Sequence, residues 1–379
     1  MKTEKRIVMT LDAGGTNLVF SAIQDGKEIV SPITYPSEVD DIQICLQTLL
    51  KGFEEVKALL SESPVAISFA FPGPADYRAG IIGNLPNFPA FRGKGVPLGP
   101  FLSEHFGIPV FINNDGNLFA YGEALAGALP EVNALLEKAG NSKRYHNLIG
   151  ITFGTGFGCG IVINQELLFG DNQTGGHIWC LRNKKYPSYI VEESVSKRAV
   201  PRVYNELSGN TSELTPKDVF DIAEGVCPGN REAAIAAFSE LGTMAGDAIA
   251  TALALIDGLV VIGGGLAGAA KYILPALMDE LKGKISMKDG TEFNRLSSIP
   301  YCLENPNELE AFLQSDSYEL DIPGTDKKIR CCFDKKIGVL LSHVGANRAI
   351  ALGAYWYALN ELDKTLIPQH YYKIFFLST

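Results

Sequence analysis

The opening pattern of apolar and polar positions predicts strands before any helix. Arg6-Ile-Val-Met-Thr-Leu reads as a strand that runs into a Gly-Gly turn, and a second apolar run follows from Leu18 to Ile23. Asp25-Gly26 then supplies a hairpin signal, so the chain starts as antiparallel strands. Helical spacing of Ile44, Leu46, Leu49, Leu50, Phe53, Val56 and Leu59 predicts a helix over Asp41 to Leu60, and Val65 to Phe71 returns to strand. The order is β-β-α-β, which differs from a simple βαβ wind. Pro72 to Pro100 is rich in Gly, Pro and Asn and reads as a long, functional loop. Pro109 to Asn113 predicts a strand and Gly116 to Leu129 a helix.

Leu148 to Ile163 repeats the opening theme of strand, glycine turn and strand. A helix over Arg231 to Leu255, a buried strand over Leu259 to Ile262, a Gly-Gly-Gly turn and a helix over Ala269 to Leu281 follow. Residues 285 to 335 read as irregular and polar, and Val344 to Leu362 as a final amphipathic helix that packs back across the lobes. Two strand-turn-strand units, each followed by alternating helix and strand, predict two related α/β lobes. The expected division is an N-terminal lobe of residues 1–125, joined by residues 345–379, and a larger lobe of residues 126–344.

Composition narrows the function. The 379 residues are 46% hydrophobic and 20% charged, enough to build a buried core of about two domains. A formal net charge of −10 without a basic tract gives no footprint for nucleic acid or an anionic membrane. The apolar run after the basic start is too short for a signal-peptide core, and Ala245 to Ile262 is interrupted by Asp247 and Asp257. A cytoplasmic protein is expected. Seven scattered cysteines with no C-x-x-C pair read as reduced thiols.

Three glycine turns carry candidate chemistry. Asp12-Ala-Gly-Gly-Thr16 places a carboxylate at a strand end, then glycines whose N–H groups can approach an anion, then a hydroxyl; alone it would equally be a tight hairpin. Gly154-Thr-Gly-Phe-Gly-Cys-Gly160 leaves one face of a hairpin free of side chains, for phosphate or for close strand packing. Gly263-Gly-Gly-Leu-Ala-Gly268 matches the dinucleotide fingerprint in form, but the serial βαβ pattern of a Rossmann domain is missing around it. No Walker A sequence is present. Three spaced turns fit one nucleotide clasped between lobes. Asn113-Asn114-Asp115-Gly116-Asn117 sets a carboxylate between strand and helix, where Asp115 suits either a helix N-cap or the base that accepts a substrate hydroxyl proton.

These pieces, together with Gly122-Glu123-Ala124, Gly176-His177, Val261-Ile-Gly-Gly-Gly265 and Leu352-Gly-Ala354, stand in an order that resembles the ROK family of sugar kinases and related repressors, over about nine tenths of the chain. The resemblance implies a two-lobed α/β fold of the actin-like ATPase and hexokinase (ribonuclease H-like) type, with nucleotide and sugar in the interlobe cleft. It implies ATP with Mg²⁺ as cofactors, with Asp12, Gly14, Gly15, Thr16 and Asn17 at the phosphates, Asp12 also as a possible metal contact. Gly154, Thr155 and Gly156 would face them, and Gly264 and Gly265 the adenosine. Gly73, Asn87, Asn114, Asp115, Thr174, His177 and Glu192 would hold the sugar, Glu193 being a one-residue alternative to Glu192 and Asp115 the catalytic base. The expected partners are a small-molecule sugar and ATP, and a second copy of the chain in a homodimer.

Two departures stand out. The family's structural zinc uses the motif histidine and a C-x-C-x4-C cluster, yet only Cys180 lies between His177 and Glu192, so no zinc is expected; His177 then also suits a core histidine with one hydrogen bond. Thr174 replaces the glutamate of Gly-Glu-x-Gly-His, which leaves the identity of the sugar open. The expected activity is glucokinase-like phosphorylation of a hexose or N-acetylhexosamine. A weakly catalytic sugar-binding regulator is the alternative, although a repressor's N-terminal helix-turn-helix would have to fit before residue 12.

Overall fold

A computed structural model describes residues 4–13, 17–37, 40–83, 85, 89–93, 95–315, 317–331, 333 and 335–366. The chain falls into two compact units, one taking the residues up to Gly122 and resuming at Asn347, the other running Glu123–Ala346.

The first unit is built on β1 (Val8–Ala13), β2 (Asn17–Gln24), β3 (Lys27–Glu28), β4 (Ile33–Pro36), α1 (Ile42–Ala58), β5 (Ala66–Ala70), the short pair β6 (Ala75–Asp76) and β7 (Ile81–Ile82), α2 (Leu98–Phe106) and β8 (Val110–Asn113). Its sheet has the order β3-β2-β1-β5-β8, with β4 also on β2. β1 and β2 are antiparallel, whereas β5 and β8 continue parallel to β1. Asp25 and Gly26 close the β2–β3 hairpin with φ of 49° and 70°, the left-handed values that such a turn needs. Asp41 caps α1 by accepting from the N–H groups of Gln43 and Ile44 at 2.8 and 3.2 Å. The buried stripe Cys45, Leu49, Phe53 and Val56 follows, and Phe53 meets Phe20 of β2 edge-on at 5.1 Å.

The chain passes through α3 (Asp115–Ala126) into α4 (Ala128–Lys138). One helix to Leu129 is expected from the apolar spacing; it is broken at Gly127, where φ −120° and ψ −121° leave the helical region. The break is fixed by Glu123, whose carboxylate accepts the Ala128 N–H at 2.8 Å and occupies the space that a Cβ on residue 127 would need.

The second unit continues with β9 (Leu148–Phe153), β10 (Phe157–Ile163), β11 (Glu166–Leu167), α5 (Ala199–Ser208), α6 (Pro216–Glu224), α7 (Arg231–Ile256), β12 (Leu259–Gly263) and α8 (Ala270–Leu281). Then come β13 (Lys284–Ser286), β14 (Glu292–Asn294), β15 (Ile299–Cys302), α9 (Pro306–Leu313), β16 (Tyr318–Asp321), β17 (Lys328–Cys331) and β18 (Lys336–Leu341). The sheet order is β11-β10-β9-β12-β18-β15. β9 and β10 form an antiparallel hairpin, and β12, β18 and β15 run parallel to β9. The first unit's order is thus repeated: a hairpin at one side, parallel strands at the other. The opening β9–β10 hairpin departs from the serial βαβ wind of a dinucleotide-binding domain. α7 and α8 carry much of this unit's core, including Phe238, Leu241, Ile249, Ile273 and Leu277.

Residues 285–335 are more regular than their composition predicts. They hold two hairpins, β13–β14 and β16–β17, the sheet strand β15 and the helix α9. The β13–β14 pair is exposed along its whole length, so no burial forces the apolar alternation by which a strand is recognised. The last helix, α10 (Ala346–Leu366), buries Tyr355, Ala358 and Leu359 against Val8, Ile23 and Ala66 of the first unit's sheet.

Candidate active site

In the first unit the candidate residues gather where β1, β5 and β8 end. Register pairs Asp12 with Ala70 and Ala70 with Asn113, so Asp12 and Asn113 lie two strands apart, about 10 Å, on one edge. Asp12 is open to solvent, no described residue donates a hydrogen bond to it, and partial desolvation holds its carboxyl above the ordinary aspartate value. Asn17 begins β2 and is exposed. Gly14, Gly15, Thr16 and Asn87 lie outside the described residues.

The strand-to-helix junction shows which residue caps α3. Asn114 is the residue whose carbonyl accepts the Leu118 N–H at 3.0 Å and whose side-chain oxygen accepts the Gly116 N–H at 2.8 Å, so Asn114 caps α3. Asp115 is the first helical residue. One of its oxygens shares the Gly116 N–H at 2.8 Å, and among the described residues no side chain bonds the carboxylate. The side chain is exposed yet surrounded by enough protein that desolvation raises its carboxyl above the ordinary aspartate range, opposed by the Gly116 N–H. The buried Asn113 side chain braces the turn, its oxygen accepting from the Asn114 N–H at 2.8 Å and from the Asn117 amide at 3.1 Å.

Gly73 lies in the loop after β5. A Cβ there would stand 3.0 Å from the Tyr77 hydroxyl, which donates to the Phe71 carbonyl at 3.0 Å. Tyr77 also hydrogen-bonds the Asn114 side chain, and burial together with the charge of Asp115 pushes its phenol up to about 12. Sequence reasoning missed Tyr77. Its only signal is a place within the loop-rich stretch, since nothing local ties residue 77 to residue 114.

In the second unit β9 and β12 end side by side, with Gly263 opposite Thr152. The glycines divide by what surrounds them. Gly264 has φ 91°, and a Cβ there would strike the Phe153 carbonyl; a Cβ on Gly156 would strike the Glu192 carboxylate. Gly154 and Gly265 face open space within 4 Å, so internal packing does not require glycine at either. Thr155, the neighbour of Gly154 in the first turn, is exposed. Glu192 accepts the Phe157 N–H at 2.9 Å, which ties it to the Gly154–Gly156 turn, and Arg198 lies 3.6 Å from it. Glu193 instead faces Arg198 and Arg202 at 3.3 and 3.8 Å. Thr174 is exposed, and its carbonyl accepts the His177 N–H at 3.2 Å. Gly176, with φ 81°, seats this loop against Cys159 of β10, and desolvation lowers the imidazole pKa of His177. No group of three His, Cys, Asp or Glu suited to a metal ion occurs among the described residues.

The model of the ROK family matches residues 8–294. The chain belongs to the ROK family. Its fold is the actin-like ATPase and hexokinase type shared by solved ROK sugar kinases, and a crystal structure of a glucokinase from Parabacteroides distasonis superposes with a TM-score of 0.85 at 59% identity, covering 95% of this chain and 99% of that one. A glucokinase of Thermotoga maritima is 25% identical over 297 residues, 72% of this chain and 86% of the relative. An N-acetyl-D-glucosamine kinase of Vibrio vulnificus is 28% identical over 174 residues, 45% of this chain and 51% of the relative.

Within this ROK chain, the segment after His177 is organised by a buried amide. Asn183 accepts from the N–H groups of Lys185 and Tyr186 at 3.0 and 2.9 Å and donates to the Ser194 hydroxyl at 2.9 Å. These bonds tie the loop to the turn that carries Glu192. Two other motif glycines prove structural. A Cβ on Gly122 of α3 would strike the Ala349 carbonyl of α10, and one on Gly353 would strike the Leu118 carbonyl, so the two glycines let these helices cross in close contact.

Proposed function

We propose that this chain is an ATP-dependent carbohydrate kinase that transfers the γ-phosphoryl group to a hydroxyl of a hexose or N-acetylhexosamine, with Asp115 as general base. The observation that carries the proposal is the division of labour at the β8–α3 junction. Asn114 caps the helix, which leaves the Asp115 carboxylate with no described side chain bonded to it and a raised proton affinity, as a base requires. The similarity to a glucokinase and to an N-acetylglucosamine kinase supports the substrate class.

In the proposed reaction the sugar hydroxyl gives its proton to Asp115 as its oxygen bonds to the γ-phosphorus. The bond from that phosphorus to the β–γ bridging oxygen breaks, and ADP leaves. Asn114 and Tyr77 orient the junction, Gly73 leaves room beside the tyrosine hydroxyl, and Thr174, His177 and Asn87 complete the sugar contacts. His177, with its lowered pKa, acts as a neutral imidazole. Gly154, Thr155 and Gly265 offer backbone to the nucleotide, Gly264 shapes the turn after β12, and Glu192 braces the Gly154–Gly156 turn through the Phe157 N–H. Gly14, Gly15, Thr16 and Asn17 are assigned to the phosphates by their motif. Asp12, an exposed carboxylate with no hydrogen bond from a described residue, has the hard oxygen donors that Mg²⁺ prefers. When bound, Mg²⁺ would offset phosphate charge.

Thr174 is shorter than a glutamate and neutral, so we assign to it a preference displaced from glucose. ADP release measured with ATP·Mg²⁺ and glucose, mannose, fructose, N-acetylglucosamine or N-acetylmannosamine tests the proposal. At least one sugar should accelerate release and appear as its phosphate. No sugar-dependent release with the whole panel would overturn it and leave a binding-only regulator.

A further inference from the structure

The N-terminal ends of β9, β12, β15 and β18 form the edge of the second sheet opposite the glycine turns. A cavity of about 230 Å³ opens there, with Lys143, Arg144, His146, Asp257, Lys335 and Lys336 in its lining. Its lining sets four permanent positive charges against the carboxylate of Asp257, and a second carboxylate, that of the exposed Glu137, lies 3.7 Å from Arg144, so the cavity keeps a positive excess in a chain whose formal net charge is −10. Like charges brought into one concavity repel, and the repulsion is relieved by an anion among them.

The cavity is also built. Tyr145, on its floor, is buried and donates its hydroxyl to the Lys336 carbonyl at 2.6 Å. Two of the cations are held by carbonyl oxygens: Lys336 by those of Ala311 and Gln314 at 2.9 and 2.8 Å, Arg144 by those of Asn141 and Lys143 at 2.7 and 2.8 Å. These charges are therefore fixed before any ligand arrives. Lys143 and Lys335 are exposed, and among the described residues neither pairs with a carboxylate. The Lys143 ammonium lies over the Tyr145 ring, 5.3 Å from its centroid, which holds it beside the cavity.

We propose that this cavity is a second anion site, which binds the phosphate group of a small phosphorylated molecule. It is separate from the turns proposed to hold ATP. Those turns follow the far ends of β9 and β12, strands of 6 and 5 residues, which puts them roughly 15–20 Å away. Charge-assisted hydrogen bonds from lysine to phosphate supply the affinity, and the modest volume selects a small ligand.

Calorimetric titration of the full chain with inorganic phosphate and with glucose 6-phosphate tests this, in parallel on the wild type and on the Lys143→Ala/Lys335→Ala variant. The wild type should bind at least one of the two saturably, and the variant should bind it about tenfold more weakly or worse. Sugar-dependent ADP release by the variant should be unchanged in kcat and KM when no phosphate is added. Tighter binding of glucose 6-phosphate than of phosphate would identify a phosphorylated sugar as the ligand class; equal binding would identify the phosphate group alone. No saturable binding by the wild type up to about 10 mM would overturn the proposal. Equal binding by wild type and variant would overturn it too, by placing the phosphate elsewhere on the chain. Both lysines are exposed, and a matching thermal melt checks that the variant is folded.

Discussion

At the scale of single residues, the β8–α3 junction gives the helix cap to Asn114 and leaves the neighbouring Asp115 carboxylate without a described side-chain partner. A carboxylate between a strand and a helix can cap or react, and the spacing of Asn114 and Asp115 does not say which. The distinction rests on whose carbonyl accepts the first helical N–H, a backbone fact without a sequence signal. Removing the cap by Asn114→Ala should lower stability by about 1 kcal/mol, read by denaturant unfolding, and weaken sugar binding as well. Asp115→Asn should raise the melting temperature at neutral pH. A carboxyl whose folded pKa exceeds its unfolded pKa loses stability as pH rises through those values, and an amide has no such loss. The same shift sets the pH profile: a base works when deprotonated, so kcat/KM should fall on the acid side with an apparent pKa above the ordinary aspartate value. Tyr77→Phe keeps the ring and removes the hydroxyl that meets Phe71 and Asn114. It should lower kcat more than it raises KM, and an unchanged kcat would remove Tyr77 from the site.

At the scale of elements, glycine runs mark candidate phosphate-binding turns but not which glycine would face a ligand. Only the neighbours tell. Gly265→Ala adds a methyl to open space and should fold normally while raising the KM for ATP. Gly264→Ala must hold φ 91° against the Phe153 carbonyl and should destabilise the protein by a few kcal/mol or prevent folding. Comparing their melts and their ATP dependence separates structural from ligand-facing glycine. Gly122 and Gly353 belong to motifs legible in the sequence, yet their reason is tertiary: α3 and α10 are more than 200 positions apart and cross with no room for a side chain. Either Gly→Ala change should destabilise by about 1–3 kcal/mol or more through overpacking. The break at Gly127 escaped periodicity for a similar reason, since it depends on where the Glu123 side chain folds back.

At the scale of the whole molecule, the repeated strand order was legible because each copy opens with the same strand, glycine turn and strand. The exposed β13–β14 hairpin was not, because burial on one face is what makes a strand visible in sequence. The sequence also shows that the family's cysteine cluster is missing, without showing what fixes that loop. In this chain Asn183 ties that segment to Ser194, and with the cysteines missing, purified protein is expected to carry no stoichiometric zinc and to melt at the same temperature in chelator, as elemental analysis and a thermal melt would check. Asn183→Ala should lower stability by about 1–3 kcal/mol by leaving the buried Ser194 hydroxyl without its partner. Proton removal from the sugar hydroxyl by Asp115 is tested by single-turnover transfer of the γ-phosphate to the best sugar by wild type and Asp115→Asn, with sugar affinity measured on both. Similar affinity and a transfer rate lower by about 10²–10⁴-fold are expected in the variant. Transfer at the wild-type rate by Asp115→Asn would contradict that role.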